Sequence, residues 1–323
     1  MFRSVVLKDI SAATAQNFLQ HSIAPRPICF ASTIDKDGNV NLSPFSFFNL
    51  FSTYPAVIVF SPSRRVRDNT TKHTLENILQ VPEVVVNIVS YEMLQQTSLA
   101  SCEYPKGTDE FLKAGFTKEP SQLIKPPRVK ESPVQLECKV LEVKPLGTEG
   151  GAGNLIIAEV LIMHINENIL NESGNIDQKK LDLAARLGGN WYTRANAETI
   201  FEVEKPNMHL GIGIDMLPEN IRSSKILTGN NLAQLANVSE IPFVDPAFED
   251  ENLKNIFQYY SIDPAEMEKE LHRYSKELLD AGKVKEAGGN IFQKVRRNEN
   301  NYYGFAFADP DGHKFNVLLM DNM

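Results

Sequence analysis

A basic turn, residues 61–72, carries the clearest chemical signal in the sequence. It follows the apolar run AVIVF and contains Arg64, Arg65, Arg67 and Lys72, before a helix that we expect to begin near Thr74. Cationic side chains, hydroxyl groups and unpaired backbone N–H groups at a helix N-terminus together bind anions, above all phosphate. A solvated basic loop whose threonines cap the helix would have the same composition. Taken alone, the turn leaves both interpretations open.

A second segment, NLSPFSFFN at residues 41–49, mixes small hydroxyl and amide side chains with aromatic ones. Such a mixture can border a flat heterocycle, with backbone groups bonded to the polar edge of the rings. The alternative is an aromatic core strand with its polar residues turned outward. The order of the two segments along the chain, together with further motifs, decides between these interpretations.

The ordered motifs resemble those of the flavin reductase-like family, whose members bind FMN in a split β-barrel. The resemblance runs from about Pro25 to Arg194. Its motifs are RPI at 26–28, ST at 32–33, SPFSFFN at 43–49, KHTLENI at 72–78, VVNI at 85–88, EYP at 103–105, DEF at 109–111, SP at 132–133 and RLGGNWY at 186–192.

The resemblance implies roles for individual residues. The FMN phosphate would be held by Lys72 and Thr74, together with Arg65 and Ser61. The isoalloxazine edge would be lined, largely through backbone groups, by Thr33, Ser43, Ser46 and Asn49, with support from Asn87 on the adjacent strand. His73 stands where the family usually has Asp, and it would either contact the phosphate or organise the loop. Trp191 would cover the flavin face or contribute to a subunit interface.

His164 is the candidate catalytic residue, because the family often has a histidine facing the pocket near the end of this strand. It would orient a nicotinamide or donate a proton to reduced flavin. Hydride transfer to flavin depends mainly on stacking and orientation, so a structural histidine is the alternative. No residue is predicted to bind a metal ion.

The function implied by the resemblance is that of an FMN-binding NAD(P)H-dependent flavin reductase or related oxidoreductase. Hydride would pass from NADH or NADPH to FMN and then to a second acceptor, such as free flavin, a partner monooxygenase or another redox protein. One alternative is a flavoredoxin-like electron carrier without a nicotinamide site, and another is a non-catalytic flavin-binding or interaction protein. A homodimer is expected.

The pattern of elements predicts a mainly β fold with inserted helices, an FMN-binding split β-barrel followed by a C-terminal α/β extension. Strands are expected at residues 28–34, 40–45, 56–61, 84–89, 134–144 and 155–166, and helices at 12–20, 74–80, 91–101 and 177–187. Closely spaced strands with few helices favour an antiparallel barrel. The glycine-rich loop, residues 147–153, lacks the Lys-Ser/Thr of a phosphate loop and joins two strands, which predicts a flexible hairpin loop.

Three segments are predicted: the barrel at 1–205, an extended arm and charged helix at 206–288, and a β-hairpin tail at 289–323. The helix at 265–286 places four apolar or aromatic residues on one face: Met267, Leu271, Tyr274 and Leu278. The i,i+4 charge pairs Arg273/Glu277 and Lys276/Asp280 favour a solvated outer face. Residues 286–320 weakly resemble part of a glyoxalase-type (vicinal oxygen chelate) module. Asn316 stands about where a metal-binding Glu would be, so no metal is expected there.

Composition excludes several classes of protein. The chain has 323 residues, a formal net charge of −8 and a cysteine count of 3, and its cysteines are far apart in the sequence. An acidic chain is a poor candidate for binding nucleic acid or an anionic membrane. Separated cysteines predict neither a disulfide framework nor a zinc site. Without an apolar run long enough for a span or a signal peptide, the expected location is the cytoplasm.

Overall fold

The computed structural model describes residues 1–203, 210–240, 251–260, 263–282, 296–297, 303–308 and 314–319. The chain divides into two compact units, Met1–Glu202 and Val203–Met323. No helix among the described residues is both long and apolar enough to cross a membrane.

The first unit is built on a seven-stranded antiparallel sheet with the order β2-β1-β5-β8-β9-β4-β3. Its strands are β1 (Cys29–Ile34), β2 (Val40–Phe45), β3 (Phe48–Thr53), β4 (Ala56–Phe60), β5 (Glu83–Ile88), β8 (Val134–Pro145) and β9 (Asn154–Ile165). Two small hairpins accompany it, β6 (Lys118–Glu119) with β7 (Arg128–Val129) and β10 (Leu183–Arg186) with β11 (Tyr192–Ala195). The helices are α1 (Ala12–Ser22), α2 (His73–Gln80), α3 (Leu94–Leu99), α4 (Glu110–Ala114) and α5 (Gln178–Leu181).

The sheet curls because its two edge strands follow each other directly along the chain. Only Ser46 and Phe47 separate the end of β2 from the start of β3, although these strands lie at opposite ends of the strand order. Within the described sheet, β2 pairs only with β1, and β3 only with β4. The short connection draws the two edges toward each other without closing the ladder. The predicted mainly β fold with inserted helices is confirmed as an incompletely closed barrel.

Every residue of β1 is buried because both faces of the strand are covered. On one face Cys29 and Ala31 share an apolar cluster with Leu75 and Ile78 of α2. On the other face Phe30 packs in a second cluster with residues of the α3 and α4 region. Burial of this apolar surface is the main stabilising contribution to the unit, and it fixes the start of α2 beside β1 and β2.

The predicted helix at 177–187 is wrong beyond its first turn. Helix α5 ends at Leu181 because Asp182 adopts a left-handed conformation with φ 48°. The chain then forms β10, and Ala184 donates its N–H to the Val89 carbonyl at 3.2 Å. Helix α3 likewise covers only Leu94–Leu99 of the predicted 91–101.

The described part of the second unit contains α6 (Glu219–Arg222), α7 (Gly229–Leu235), α8 (Glu251–Tyr260), α9 (Pro264–Asp280) and the strands β12 (Arg296–Arg297), β13 (Tyr303–Ala308) and β14 (Lys314–Leu319). These strands form an antiparallel sheet in the order β12-β13-β14. Helix α9 ends at Asp280, so the predicted helix at 265–286 is shorter than expected at its C-terminal end. Residues 283–295 lie outside the described residues. The predicted division at 205 and 288 stays a prediction.

Helix α9 confirms the predicted apolar face, since Met267, Leu271 and Leu278 are buried. Of the two predicted ion pairs, Lys276 does contact Asp280. Arg273 instead contacts Glu270, which lies one turn earlier on the same face of the helix.

Candidate functional site

The start of α2 leaves two backbone N–H groups without acceptors. Lys72 is the N-cap residue and has extended backbone angles, φ −89° and ψ 143°. Its carbonyl accepts the N–H groups of Leu75 and Glu76 at 3.0 and 3.3 Å. Among the described residues, the N–H groups of His73 and Thr74 have no acceptor. This is the usual state of a first helical turn, and it favours an anion.

Lys72 adds an uncommitted positive charge to these donors. Its side chain is partly buried, and burial lowers the pKa of its ammonium group, with the charge of Arg65 as the next cause. No carboxylate among the described residues forms an ion pair with it. A partly desolvated ammonium group without a counter-ion gains free energy when an anion binds beside it.

The arginines of the basic turn are already paired. Arg65 donates to Glu103 at 3.0 Å and to the Thr71 carbonyl at 2.6 Å. Arg67 also donates to Glu103, at 2.8 Å. Arg64 holds Asn69 through its Nε, which is 2.6 Å from Oδ1. The turn is therefore ordered by its arginines. Arg65 and Arg67 are matched by a carboxylate, Arg64 is held by the neutral Asn69, and Lys72 is the cation of the turn that lines the pocket without an ion pair among the described residues.

The glycine-rich loop packs directly against the basic turn. Arg64 donates its N–H to the Ala152 carbonyl at 2.9 Å, and Gly151 donates to the Arg64 carbonyl at 3.0 Å. A Cβ atom on Gly150 would lie 3.1 Å from the backbone of Arg65. The loop is a hairpin loop, as predicted. The expectation of a flexible one does not fit this packing, because the glycines allow two backbones to approach closely.

A buried polar chain forms the floor beneath Lys72. Thr74 donates its hydroxyl to Asn41 Oδ1 at 2.7 Å, and Asn41 Nδ2 donates to Glu110 Oε1 at 3.0 Å. The second carboxylate oxygen of Glu110 accepts the N–H of Leu42 at 2.9 Å. Burial raises the pKa of Glu110, although the hydrogen bond from Leu42 partly opposes this shift. These hydrogen bonds connect α2, β2 and α4.

These groups line an open pocket of about 330 Å³, which we call the α2 pocket. Its lining includes five predicted residues: Ser43, Arg65, Lys72, His73 and Thr74. It also includes Tyr104, which the sequence suggested for the flavin face or a subunit interface, and Asn41 of the segment 41–49. The other lining residues received no role from the sequence: Ala100, Ser101, Cys102, Glu103 and Glu110. Some signal for the second group was present, because Glu103 and Tyr104 belong to the EYP motif, and Glu110 to the DEF motif.

His73 lines the pocket with a pKa below the ordinary histidine value. Burial is the main cause, and the charge of nearby Glu76 opposes it. At neutral pH the ring is therefore uncharged. A neutral imidazole can form a hydrogen bond with an anion but adds no charge, so Lys72 remains the main cation.

Two predicted residues have side chains that form hydrogen bonds elsewhere. Thr33 is buried, and its hydroxyl accepts a hydrogen bond from Asn77 Nδ2 at 3.2 Å. Asn87 is buried and spans two backbones, donating to the Phe30 carbonyl and accepting the Val129 N–H, each at 2.9 Å. These two amino acids therefore stabilise the sheet, and neither lines the pocket.

His164 is not brought to the α2 pocket. Its Nε2 lies 2.8 Å from Oε1 of Glu137, a fully buried carboxylate that also accepts the N–H groups of Gln122 and Leu123. The ring is held by a buried acid on β8, as expected for a structural histidine, and the catalytic role of His164 stays a prediction.

The remaining predicted residues lie away from the pocket lining. Ser61 is buried beneath Gly153, and its Oγ has no hydrogen-bond partner among the described residues. Ser46 accepts a hydrogen bond from Arg26 at 3.4 Å, and exposed Asn49 accepts the N–H of Leu50. Trp191 is 73% exposed on the β10–β11 hairpin. The role of Ser61 at the phosphate, of Ser46 and Asn49 at the isoalloxazine edge, and of Trp191 at the flavin face or a subunit interface all stay predictions.

Comparison with known proteins agrees with this architecture. The sequence model of the family described as "Flavin reductase like domain" matches residues 21–182, which is half of the chain and lies within the first unit. This chain belongs to the flavin reductase-like family. The weak glyoxalase-type resemblance lies outside the match and receives no support.

Sequence relatives of this flavin reductase-like chain are about the size of the first unit. An uncharacterized protein from Aquifex aeolicus is 38% identical over 198 residues, which is 61% of this chain and 98% of that protein. An uncharacterized protein from Halalkalibacterium halodurans is 34% identical over 189 residues, covering 58% of this chain and 88% of the relative.

Two solved structures are similar to this chain. Nitrilotriacetate monooxygenase component B from Bacillus cereus has 27% identity and a TM-score of 0.59, covering 63% of this chain and 99% of the other. A putative flavin reductase with a split barrel domain from Shewanella frigidimarina has 25% identity and a TM-score of 0.52, and the match covers 62% of this chain and 96% of the other. These structures support the split-barrel assignment.

Proposed function

We propose that the chain binds FMN with its phosphate in the α2 pocket and acts as an NAD(P)H-dependent flavin reductase. The observation that carries the proposal is the partly buried Lys72 ammonium group, which has no ion-pair partner in the described chain and stands beside two free helix N–H groups. This donor set suits a phosphate dianion. Membership in the flavin reductase-like family supplies the cofactor class.

The chain's own residues would divide the work of binding. Lys72 and the N–H groups of His73 and Thr74 would hold the phosphate, while Arg65 keeps the turn in place through Thr71 and Glu103. FMN, when bound, supplies a ring system that accepts a hydride and passes electrons to an acceptor. The protein's contribution is to bind and orient it, and none of the pocket residues needs to act as an acid or base.

The electron donor in this proposal is NADH or NADPH. The likeness to nitrilotriacetate monooxygenase component B from Bacillus cereus supports a partner monooxygenase as one acceptor. Free flavin or another redox protein would serve equally well chemically, because reduced flavin transfers electrons to many acceptors.

We also propose a homodimer in which β3 is covered by a second copy. Leu50, Phe51 and Tyr54 are 55%, 68% and 98% exposed along this edge strand and its turn. Contiguous apolar side chains on an edge strand are unfavourable in water and mark an interaction surface.

The visible spectrum of the purified chain tests cofactor and reaction together. We expect flavin absorbance, either as purified or after adding FMN, and rapid bleaching when NADH or NADPH is added without oxygen. A colourless protein that gains no bound flavin would contradict the proposal. Bound flavin that neither nicotinamide reduces would indicate an electron carrier instead.

A further inference from the structure

Thr74 is connected to a buried acid by a continuous hydrogen-bonded chain. Its hydroxyl oxygen lies 2.7 Å from Asn41 Oδ1, and Asn41 Nδ2 lies 3.0 Å from Glu110 Oε1. All three residues are buried, and all three line the α2 pocket. The far end is fixed, because Glu110 Oε2 accepts the Leu42 N–H at 2.9 Å.

The direction of the hydrogen bonds depends on whether Glu110 carries a proton. An ionised carboxylate only accepts, so Asn41 must turn its NH₂ group to Glu110 and its oxygen to Thr74. The Thr74 hydroxyl then donates its proton in a hydrogen bond to Asn41. In this state Thr74 can only accept hydrogen bonds from a ligand, and phosphate oxygens offer it none.

Protonation of Glu110 reverses the direction of the hydrogen bonds that join Glu110, Asn41 and Thr74, while the three side chains keep their positions. The Asn41 amide first rotates by 180°. Its oxygen then accepts a hydrogen bond from protonated Glu110, and its NH₂ group donates to the Thr74 hydroxyl oxygen. The oxygen and nitrogen of an asparagine amide are interchangeable in shape, so the same positions serve both states. The Thr74 hydroxyl proton is then free for an anion in the pocket.

We propose that binding of FMN is coupled to uptake of one proton by Glu110, which turns the Asn41 amide and frees the Thr74 hydroxyl to donate to the phosphate. The proton comes from solvent and returns to it on release. Glu110 acts through Asn41 and Thr74, so it is a positioning residue. The inference rests on the proposed function, because it assumes that the phosphate occupies the α2 pocket.

The surroundings of Glu110 favour this coupling. Burial already disfavours its charge, and Asp109, the N-cap residue just before α4, adds repulsion. A phosphate dianion in the pocket would add more, which raises the fraction of Glu110 that is protonated. The other ionisable groups that line the pocket with it are Arg65, Lys72, His73, Cys102, Glu103 and Tyr104.

Calorimetric titration of the full chain with FMN tests the proposal. Repeating each titration in buffers of different ionisation enthalpy gives the number of protons taken up. At a pH where free Glu110 is ionised, we expect the wild-type chain to take up close to one proton more than Glu110→Gln. The wild-type Kd should accordingly rise by up to about tenfold per pH unit, as expected for one linked proton.

Glu110→Gln should keep its affinity as the pH rises, apart from the ionisation of the FMN phosphate itself near pH 6. The glutamine oxygen can accept the Leu42 N–H, and its NH₂ group can donate to Asn41, which fixes the polarity of the protonated state. Glu131→Gln is the matched control, because Glu131 is exposed, accepts the Thr117 N–H and lies outside the pocket lining. It should behave like wild type.

Equal proton uptake by wild type and Glu110→Gln would overturn the inference while leaving FMN binding intact. If Glu110→Gln unfolds, Thr74→Val replaces it, since valine keeps the shape but lacks the hydroxyl. Uptake by Thr74→Val equal to that of wild type would also contradict the coupling. Absence of FMN binding by the wild-type chain would instead contradict the proposed function. Riboflavin, which lacks the phosphate, should show no Glu110-dependent proton uptake.

Discussion

Lys72 has no ion-pair partner among the described residues, whereas Arg65 and Arg67 share Glu103 and Arg64 is held by the neutral Asn69. The sequence showed the basic turn before a helix, but the assignment of Lys72 to the phosphate came from the family resemblance and stays a prediction. The commitment of the arginines was not predictable, since Glu103 is 38 positions away from Arg65 along the chain. Pairing across that distance depends on the fold.

Lys72→Met should weaken FMN binding about 10- to 100-fold, which corresponds to the loss of a hydrogen bond to a charged group. The methionine keeps most of the side-chain volume, so the fold should be unaffected. Arg67→Met is the matched control, because Arg67 is largely exposed and already paired. Fluorescence titration with FMN gives both values. A smaller effect for Lys72→Met than for Arg67→Met would place the phosphate elsewhere.

His272 makes the second unit sensitive to acid. The residue is buried, its Nδ1 lies 2.8 Å from Ser224 Oγ, and its Nε2 has no hydrogen-bond partner among the described residues. Burial lowers the pKa of His272 below the ordinary 6.5, with Glu268 opposing the shift. The unfolded state therefore binds more protons, and the free energy of unfolding of this unit decreases as the pH falls below about 6.5.

This acid sensitivity can be measured by hydrogen exchange of α9. We expect protection of residues 263–280 to decrease between pH 7 and pH 5.5, whereas His272→Asn should show a smaller change with pH. Protection of α9 that is equal at both pH values in the wild-type chain would contradict the prediction.

At the scale of elements, strands with strong β-branched patterns were predicted well and short irregular segments were not. β5 and β9 lie within about one residue of their predicted limits. The helix expected at 177–187 failed because Asp182 takes a left-handed conformation and Ala184 bonds to Val89, a partner far away in the sequence. The side-chain partners of Thr33 and Asn87 likewise come from distant parts of the sequence, and their predicted roles at the flavin stay predictions. Sequence alone does not reveal which face of a strand a helix will cover.

The glycine-rich loop should tolerate side chains poorly where it crosses the basic turn. A Cβ on Gly153 would lie 2.5 Å from Ser61 Oγ, so Gly153→Ala should destabilise the first unit by about 1–3 kcal/mol through overpacking. The double variant Ser61→Ala/Gly153→Ala removes the clashing oxygen and should recover most of that loss. Denaturant unfolding of the two single variants and the double variant measures the coupling. Additive effects would mean that the two residues do not meet.

At the scale of the whole molecule, the family match accounts for the first unit only, since it ends at residue 182 of 323. The second unit has its own apolar cluster, which includes Leu217, Ile221 and Leu235. Composition and length indicated more than one unit because a single core rarely extends over so long a chain. What the extension does was not readable from residue types.

The apolar edge at β3 predicts that the chain is a dimer in solution. Phe51→Asp, at a residue that is 68% exposed, should give a monomer in light scattering after size exclusion, with unchanged far-ultraviolet circular dichroism. Leu112→Asp, on α4 and 78% exposed, is a control outside this edge and should remain a dimer. A monomeric wild-type chain would contradict the proposed homodimer.

The sharing of Glu103 between Arg65 and Arg67 has a consequence for competition inside a cell. A pocket with several unmatched cations would attract any multivalent anion, and orthophosphate at millimolar concentration would occupy it. With Glu103 satisfying two arginines, an inorganic ion gains less from charge than it would in such a pocket, because Lys72 and the two helix N–H groups alone attract it, and tight binding requires the rest of the nucleotide. We therefore expect the chain to retain its flavin in phosphate buffer, with selectivity coming from charges already matched within the protein.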